Sequence, residues 1–335
     1  MADERFLIVK LGSLGDLVFT LPAVAALREA HPDARIDWVV ERHWYPLLER
    51  NPDLNDVIIL DRDSTGSFIF AAWRLRTAHY TCAIDFQGLY KSALLARLSS
   101  APERIGLKAR FARESAASLF YTRRIAPSGS HMVERNLALA ASLGAGNSHY
   151  RFPLRVRPEA EARLREKLDA EEVRDFFVLS PGGGWVSKCW PPERYGALHR
   201  ELARRTGLRG VVSCGPGERQ LAETVRREAG APEPVLLDVD VAQLLPLVRQ
   251  ARFVIAGDSG PLHLASAFGT PVIGLYGPTD PVRNGPFNPA DVVVRNARPE
   301  ETTFRRGKTY SPAMLSITVE QVLAAVERRL GRRAS

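Results

Sequence analysis

Short apolar runs alternate with amphipathic segments along nearly the whole chain, and this alternation narrows its possible folds more than any other feature. The runs occupy residues 6–9, 36–40, 57–60, 82–86, 176–179, 211–214, 253–256 and 272–276. Each is too short for a helix and rich in Val, Ile and Phe, as in strands buried on both faces. Between them the spacing predicts helices over 17–30, 91–98, 192–205, 218–229, 241–249 and 262–268. Strand–helix alternation of this kind builds parallel sheets with helices on both sides, an α/β architecture.

The pattern runs twice. A helical stretch over 134–143 closes the first set, a Pro- and Arg-rich loop (151–158) follows, and a charged helix (159–168) opens the second. The expectation is a first Rossmann-like domain over 1–155, a second over 172–316, and a C-terminal helix within 317–335 that packs back on the first. Two doubly wound domains facing each other would leave a cleft lined by the carboxyl ends of their strands.

Composition removes several classes. With 45% hydrophobic and 25% charged residues the chain is globular rather than disordered. No segment approaches the roughly 20 apolar residues of a membrane span. Acids stand at Asp3 and Glu4, where a signal peptide needs bases, so a soluble cytoplasmic protein is expected. Cys82, Cys189 and Cys214 are too scattered for a disulfide framework or a cysteine metal cluster. The net charge of +8 is uneven: residues 97–124 carry seven bases against two acids, and 298–333 carry eight against four. Such a surface suits a polyanion or is simply a solvated face. No aromatic-basic stacking motif accompanies it, which argues against nucleic acid.

Four loops at strand ends place Gly, Pro and a functional side chain just before a helix. In Lys10-Leu-Gly-Ser-Leu-Gly-Asp16 the spacing is neither a dinucleotide fingerprint nor a Walker loop. Asp16 is either a helix cap or a carboxylate able to take a proton from a hydroxyl. The glycines of Ser180-Pro-Gly-Gly-Gly-Trp-Val-Ser-Lys-Cys-Trp-Pro191 let main chain approach a phosphate, with Lys188 supplying positive charge. In Cys214-Gly-Pro-Gly-Glu218 the acid is either a first-turn residue favoured by the helix dipole or a ligand for a ribose hydroxyl. The fourth loop is Ala256-Gly-Asp-Ser-Gly-Pro-Leu-His263, whose helix N-terminus at Ser259 and Gly260 can hold anionic oxygens. Asp258 would otherwise be a cap and His263 a packing residue.

Together these segments resemble the ADP-heptose:lipopolysaccharide heptosyltransferases, glycosyltransferase family 9. The resemblance rests on Gly15-Asp16 with Thr20-Leu-Pro22, Asp85-Phe-Gln-Gly-Leu-Tyr-Lys-Ser92, Lys188-Cys-Trp-Pro191, Asp258-Ser-Gly-Pro-Leu-His263 and Gly277-Pro-Thr-Asp280. These occur in the family's order along nearly the whole chain, and the second leans toward the heptosyltransferase I branch, which acts on Kdo-lipid A.

The resemblance implies a GT-B fold and an inverting transferase with Asp16 as general base and ADP as leaving group. It places Lys188 and the Ser259–Gly260 helix start on the diphosphate, Glu218 on the ribose and His263 near the donor sugar. Ser13, Gly15, Gly183, Gly184, Asp258 and Thr279 complete the implied binding set. Arg62 and Lys91, with the basic 97–124 segment, would meet an anionic glycolipid acceptor. It further implies no metal and no cofactor, the ADP-sugar being a co-substrate, and peripheral contact with the cytoplasmic face of the inner membrane. The alternatives are a hydrolysing nucleotide-sugar epimerase of the same fold and a non-catalytic sugar or anion binder.

Overall fold

The structure is a computed structural model that describes residues 4–61, 64–146 and 150–331. The chain divides into two compact units, Met1–Arg155 and Val156–Ser335. In the first unit, β1 (Arg5–Val9), α1 (Leu14–Val18) and α2 (Leu21–Ala30) are followed by β2 (Arg35–Glu41), α3 (Tyr45–Leu48) and β3 (Asp56–Leu60). Then come α4 (Thr65–Thr77), β4 (Cys82–Asp85), α5 (Tyr90–Leu98), β5 (Glu103–Leu107), β6 (Arg123–Ile125) and α6 (Met132–Ala141). The six strands form one parallel sheet in the order β3-β2-β1-β4-β5-β6, with Ile8 in register with Trp38 on one side and Ile84 on the other.

The second unit opens with α7 (Pro158–Ala170), β7 (Phe176–Ser180), α8 (Pro192–Thr206), β8 (Arg209–Cys214), α9 (Arg219–Ala229) and β9 (Val235–Asp238). It continues through α10 (Val241–Gln250), β10 (Val254–Gly257), α11 (Gly260–Phe268), β11 (Val272–Tyr276), α12 (Pro281–Asn284) and β12 (Val292–Arg295). Two helices, α13 (Pro312–Leu315) and α14 (Val319–Leu330), end it. Its sheet runs β12-β11-β10-β7-β8-β9. Counted from each unit's own first strand, both sheets have the order 3-2-1-4-5-6 of dinucleotide-binding folds. Each therefore reverses direction between its first and fourth strands, and loops at the carboxyl side of that point are where open sheets take ligands.

Three local outcomes depart from the sequence reading. The helix expected over 17–30 is split, because Pro22 cannot donate to the carbonyl of Val18 and Thr20 Oγ1 turns back to Asp16 O at 2.9 Å. Four strands at or next to the sheet edges (β5, β6, β9 and β12) and the helix α4 were not anticipated. The final helix, expected to return to the first domain, is seated in the second. Its Val322, Leu323 and Val326 share a core with Phe177, Trp190 and Ile273, and Trp190 Nε1 donates to Ile317 O at 3.0 Å just before it. Burying that stripe is what holds an amphipathic helix of this length. Among the described residues no helix is long and apolar enough to cross a membrane.

Candidate active site

In the first unit, β1 delivers the chain into the turn before α1. Asp16 is the third residue of α1, and its Oδ2 accepts from the Ser13 N–H at 3.4 Å and the Ser13 hydroxyl at 3.3 Å. This carboxylate thus contributes to the capping of α1, yet its side chain keeps 26% exposure. Lys10 Nζ and Arg113 Nη1 each stand 4.0 Å from it. Ser13 is exposed and Gly15 half-buried. Gly12 is required by close approach: a Cβ there would lie 2.6 Å from Trp44 Nε1.

The loop after β4 braces this turn. Lys10 is buried and donates to Phe86 O at 3.0 Å, while Gln87 Oε1 accepts the Leu11 N–H at 3.1 Å. Asp85, at the end of β4, is buried and accepts from Gln87 N, Gly88 N, Ser92 Oγ and Tyr121 OH at 2.6–3.1 Å. Burial pushes its carboxyl up, and these four donors offset only part of that. Lys91, in the first turn of α5, is half-buried and makes no ion pair among the described residues. Arg62 lies outside the described residues.

The basic segment separates into two groups. Arg104 and Arg124 hold main-chain carbonyls and Arg123 pairs with Glu103. Lys108, Arg110 and Arg113 are exposed on the loop that leaves the carboxyl end of β5, the sheet edge that also carries Asp16.

In the second unit, the glycine-rich loop after β7 ends in a short turn that carries Lys188. Its ammonium lies 3.7 Å from Asp258 Oδ2 and 4.1 Å from the centre of the Trp185 ring. Asp258 follows β10, and its Oδ1 is 3.1 Å from His263 Nε2, one turn into α11. All three side chains are at most 10% exposed. Burial alone would raise the Asp258 carboxyl, but the His263 hydrogen bond, the Lys188 charge and the Asn284 amide bring it down to about 2. Asp258 is therefore a fixed anion that orients a lysine and a histidine. Ser259, not Asp258, is the N-cap of α11, and Ser259 and Gly260 are half-buried at a helix start that attracts anions.

Gly183 is half-buried and Gly184 exposed. Glu218 is the N-cap of α9, with Oε2 accepting the Gly215 N–H at 2.8 Å, and burial pushes its carboxyl up. A Cβ on Gly182 would lie 1.9 Å from Glu218 Oε1, so the glycine-rich loop and this acid are moulded to each other. Thr279 is fully buried and its hydroxyl finds no partner among the described residues. The structure thus brings Lys188, Asp258 and His263 together and sets Glu218 against Gly182. It leaves Lys91 and Thr279 outside both groups.

Several supporting contacts were not read from the sequence. Trp185 carries Lys188 on its ring and has the Arg306 guanidinium 5.7 Å from its centre, while Gly307 N donates to Ser187 Oγ at 3.2 Å. Asn284 supports Asp258, and Gln87 ties the β1 and β4 loops. Trp185 and Trp190, flanking Lys188, are already unusual for a plain turn in the sequence, but what Trp185 touches is not visible there. The others act across gaps in sequence that no local pattern reports.

Residues 71–314 match Glycosyltransferase family 9 (heptosyltransferase). The chain is 32% identical over 323 residues to lipopolysaccharide heptosyltransferase 1 of Pseudomonas aeruginosa, covering 92% of this chain and 88% of that one. Among solved structures, a glycosyl transferase family 9 protein from Veillonella parvula superposes with a TM-score of 0.85 at 21% identity, covering 98% of both chains. E. coli heptosyltransferase WaaC, solved with ADP, superposes with a TM-score of 0.78 at 27% identity, covering 97% of this chain and 99% of that one. The two doubly wound units of this chain are of the GT-B type. The chain is a glycosyltransferase and belongs to family 9, the heptosyltransferases.

Proposed function

We propose that this heptosyltransferase moves a heptose from ADP-heptose to the Kdo-lipid A inner core of lipopolysaccharide, with inversion and with Asp16 as general base. The observation that carries the reading is the Asp16 carboxylate: partly exposed, in the first turn of a helix, and held by contacts of 3.3 Å or longer. Such a group can exchange its Ser13 contacts for an acceptor hydroxyl. Asp16 takes the hydroxyl proton as the oxygen attacks the anomeric carbon, and the bond from that carbon to the β-phosphate oxygen breaks. The bonding pair leaves with ADP.

The second unit supplies what a diphosphate leaving group needs. Lys188 and the free N–H groups at Ser259 and Gly260 counter the charge that grows on it, and no step requires a metal. Gly183 and Gly184 allow main chain to approach the phosphates. Glu218 accepts from ribose hydroxyls, and His263, held by Asp258, faces the donor sugar. Ser13, Gly15, Lys91, Arg62 and the exposed Lys108, Arg110 and Arg113 serve the acceptor, whose phosphates and carboxylates match their charge. An acceptor of this kind is a membrane lipid, so the enzyme works in peripheral contact with the inner membrane. Support for the donor comes from the E. coli relative solved with ADP.

Two measurements test the proposal. In a thermal-shift panel of ADP, UDP, GDP and dTDP, ADP alone should stabilise the protein, and equal shifts would remove the assigned donor. Asp16→Ala should lower the transfer rate about 1,000-fold while leaving ADP binding within a few-fold. Full activity in that variant rules Asp16 out as the base.

A further inference from the structure

Helix α4 has the wrong outer face for a solvent-exposed helix. Ala71 and Leu75 are buried in the first unit's core, with Phe68 packed against it. The opposite side should be polar. Instead it presents Ile69, Phe70 and Trp73, each about 60% exposed, at the spacing that puts all three on one stripe. The Phe70 and Trp73 rings lie 6.1 Å apart, so the stripe is one apolar patch.

The charges beside the patch are asymmetric. On one flank Arg74 is neutralised by Asp56. On the other, Arg76 donates to Ser100 Oγ at 3.3 Å, Arg104 donates to the neighbouring Ala101 O at 2.7 Å, and Arg97 is exposed on α5. Among the described residues none of these three arginines pairs with an acid. Arg97 depresses the Arg104 guanidinium, after burial, which marks them as close neighbours. Three unneutralised guanidinium groups therefore gather at the C-terminal end of an apolar stripe.

From this juxtaposition we infer that the outer face of α4 is a membrane-docking surface, with Ile69, Phe70 and Trp73 entering the acyl boundary and the exposed Arg76 and Arg97 engaging anionic lipid headgroups, while Arg104, held by the Ala101 and Phe120 carbonyls, adds positive charge behind them. The inference rests on the peripheral membrane contact proposed above and names the surface that makes it. Isolated apolar residues are ordinary on a surface, but a contiguous patch with an aromatic pair is not. Tryptophan beside cations is suited to the lipid–water boundary. A second copy of the chain is the poorer occupant: a two-fold contact would set this arginine cluster against itself or leave it outside the contact.

The test uses the full chain and two vesicle types, phosphatidylethanolamine with phosphatidylglycerol, and phosphatidylcholine alone. The parent should co-sediment with the anionic vesicles, and Ile69→Ser/Phe70→Ser/Trp73→Ser should lower that partition at least about tenfold. Arg76→Glu/Arg97→Glu should lower it on anionic vesicles only. Vesicle binding should shift Trp73 emission to the blue, and Trp73→Phe should abolish the shift while keeping the partition. The triple variant should keep the parent's rate on a lipid-free acceptor fragment and lose rate on a vesicle-embedded one. Unchanged partition in the triple variant, or a change in oligomeric state in place of vesicle binding, overturns the inference. Vesicle binding with no transfer to either acceptor overturns the assigned function and leaves the docking surface standing.

Discussion

Asp85 and Asp258 occupy equivalent places in two copies of one topology, since each stands at the carboxyl end of its unit's fourth strand. Both are buried, yet their surroundings push them in opposite directions. Asp85 is met by two N–H and two O–H donors, all neutral, and its carboxyl is raised. Asp258 is met by Lys188 and His263 and is lowered to about 2. Topology chose the position, and the charge of the partners chose the chemistry. The first unit spends this aspartate on shaping a loop and leaves Asp16, in the helix that follows the neighbouring strand β1, partly exposed. The second makes its aspartate the anchor of a cationic array.

Removing the charge should separate the two. Asp258→Asn leaves Lys188 buried without its counter-ion, which costs about 3 to 5 kcal/mol and roughly 10 °C in melting temperature. A loss below about 1 kcal/mol in thermal or urea unfolding would break the comparison. Acid should separate them next. Because the folded protein favours the ionised form of Asp258, its contribution is full above 3.8 and drains as pH falls toward about 2. That loss is on the order of 2 kcal/mol and should vanish in Asp258→Asn. Asp85 has the opposite sign: its raised carboxyl takes up a proton in the folded state first, so it adds stability as pH falls toward 3.8. Asp85→Asn should remove that gain. At neutral pH it should cost only about 1 kcal/mol, because an amide oxygen still accepts the Gln87 and Gly88 N–H groups. A larger cost would mean that Asp85 carries more than its loop.

The two sheets were legible from the sequence because their central strands are unbroken apolar runs and period alone identifies those. The edge strands were not, since β6 is Arg123-Arg124-Ile125 and owes its state to pairing with β5. Helix α4 escaped for a different reason: a helix apolar on its outer face as well as its inner one has no amphipathic signature. Glycine and proline marked the site loops, and the side chains quoted from them are where those loops end. What those side chains touch was invisible. Nothing in the local sequence sets Asp258 between Lys188 and Asn284, or distinguishes its surroundings from those of Asp85.

The contact between Gly182 and Glu218 also constrains how this chain can change. A methyl group at 182 occupies the space of the 218 carboxylate, so Gly182→Ala displaces Glu218 from the Gly215 N–H without altering residue 218 itself. The two positions are sterically coupled. Each atom added at 182 has to be matched by a retreat of the 218 carboxylate, so a change at one position is read out at the other.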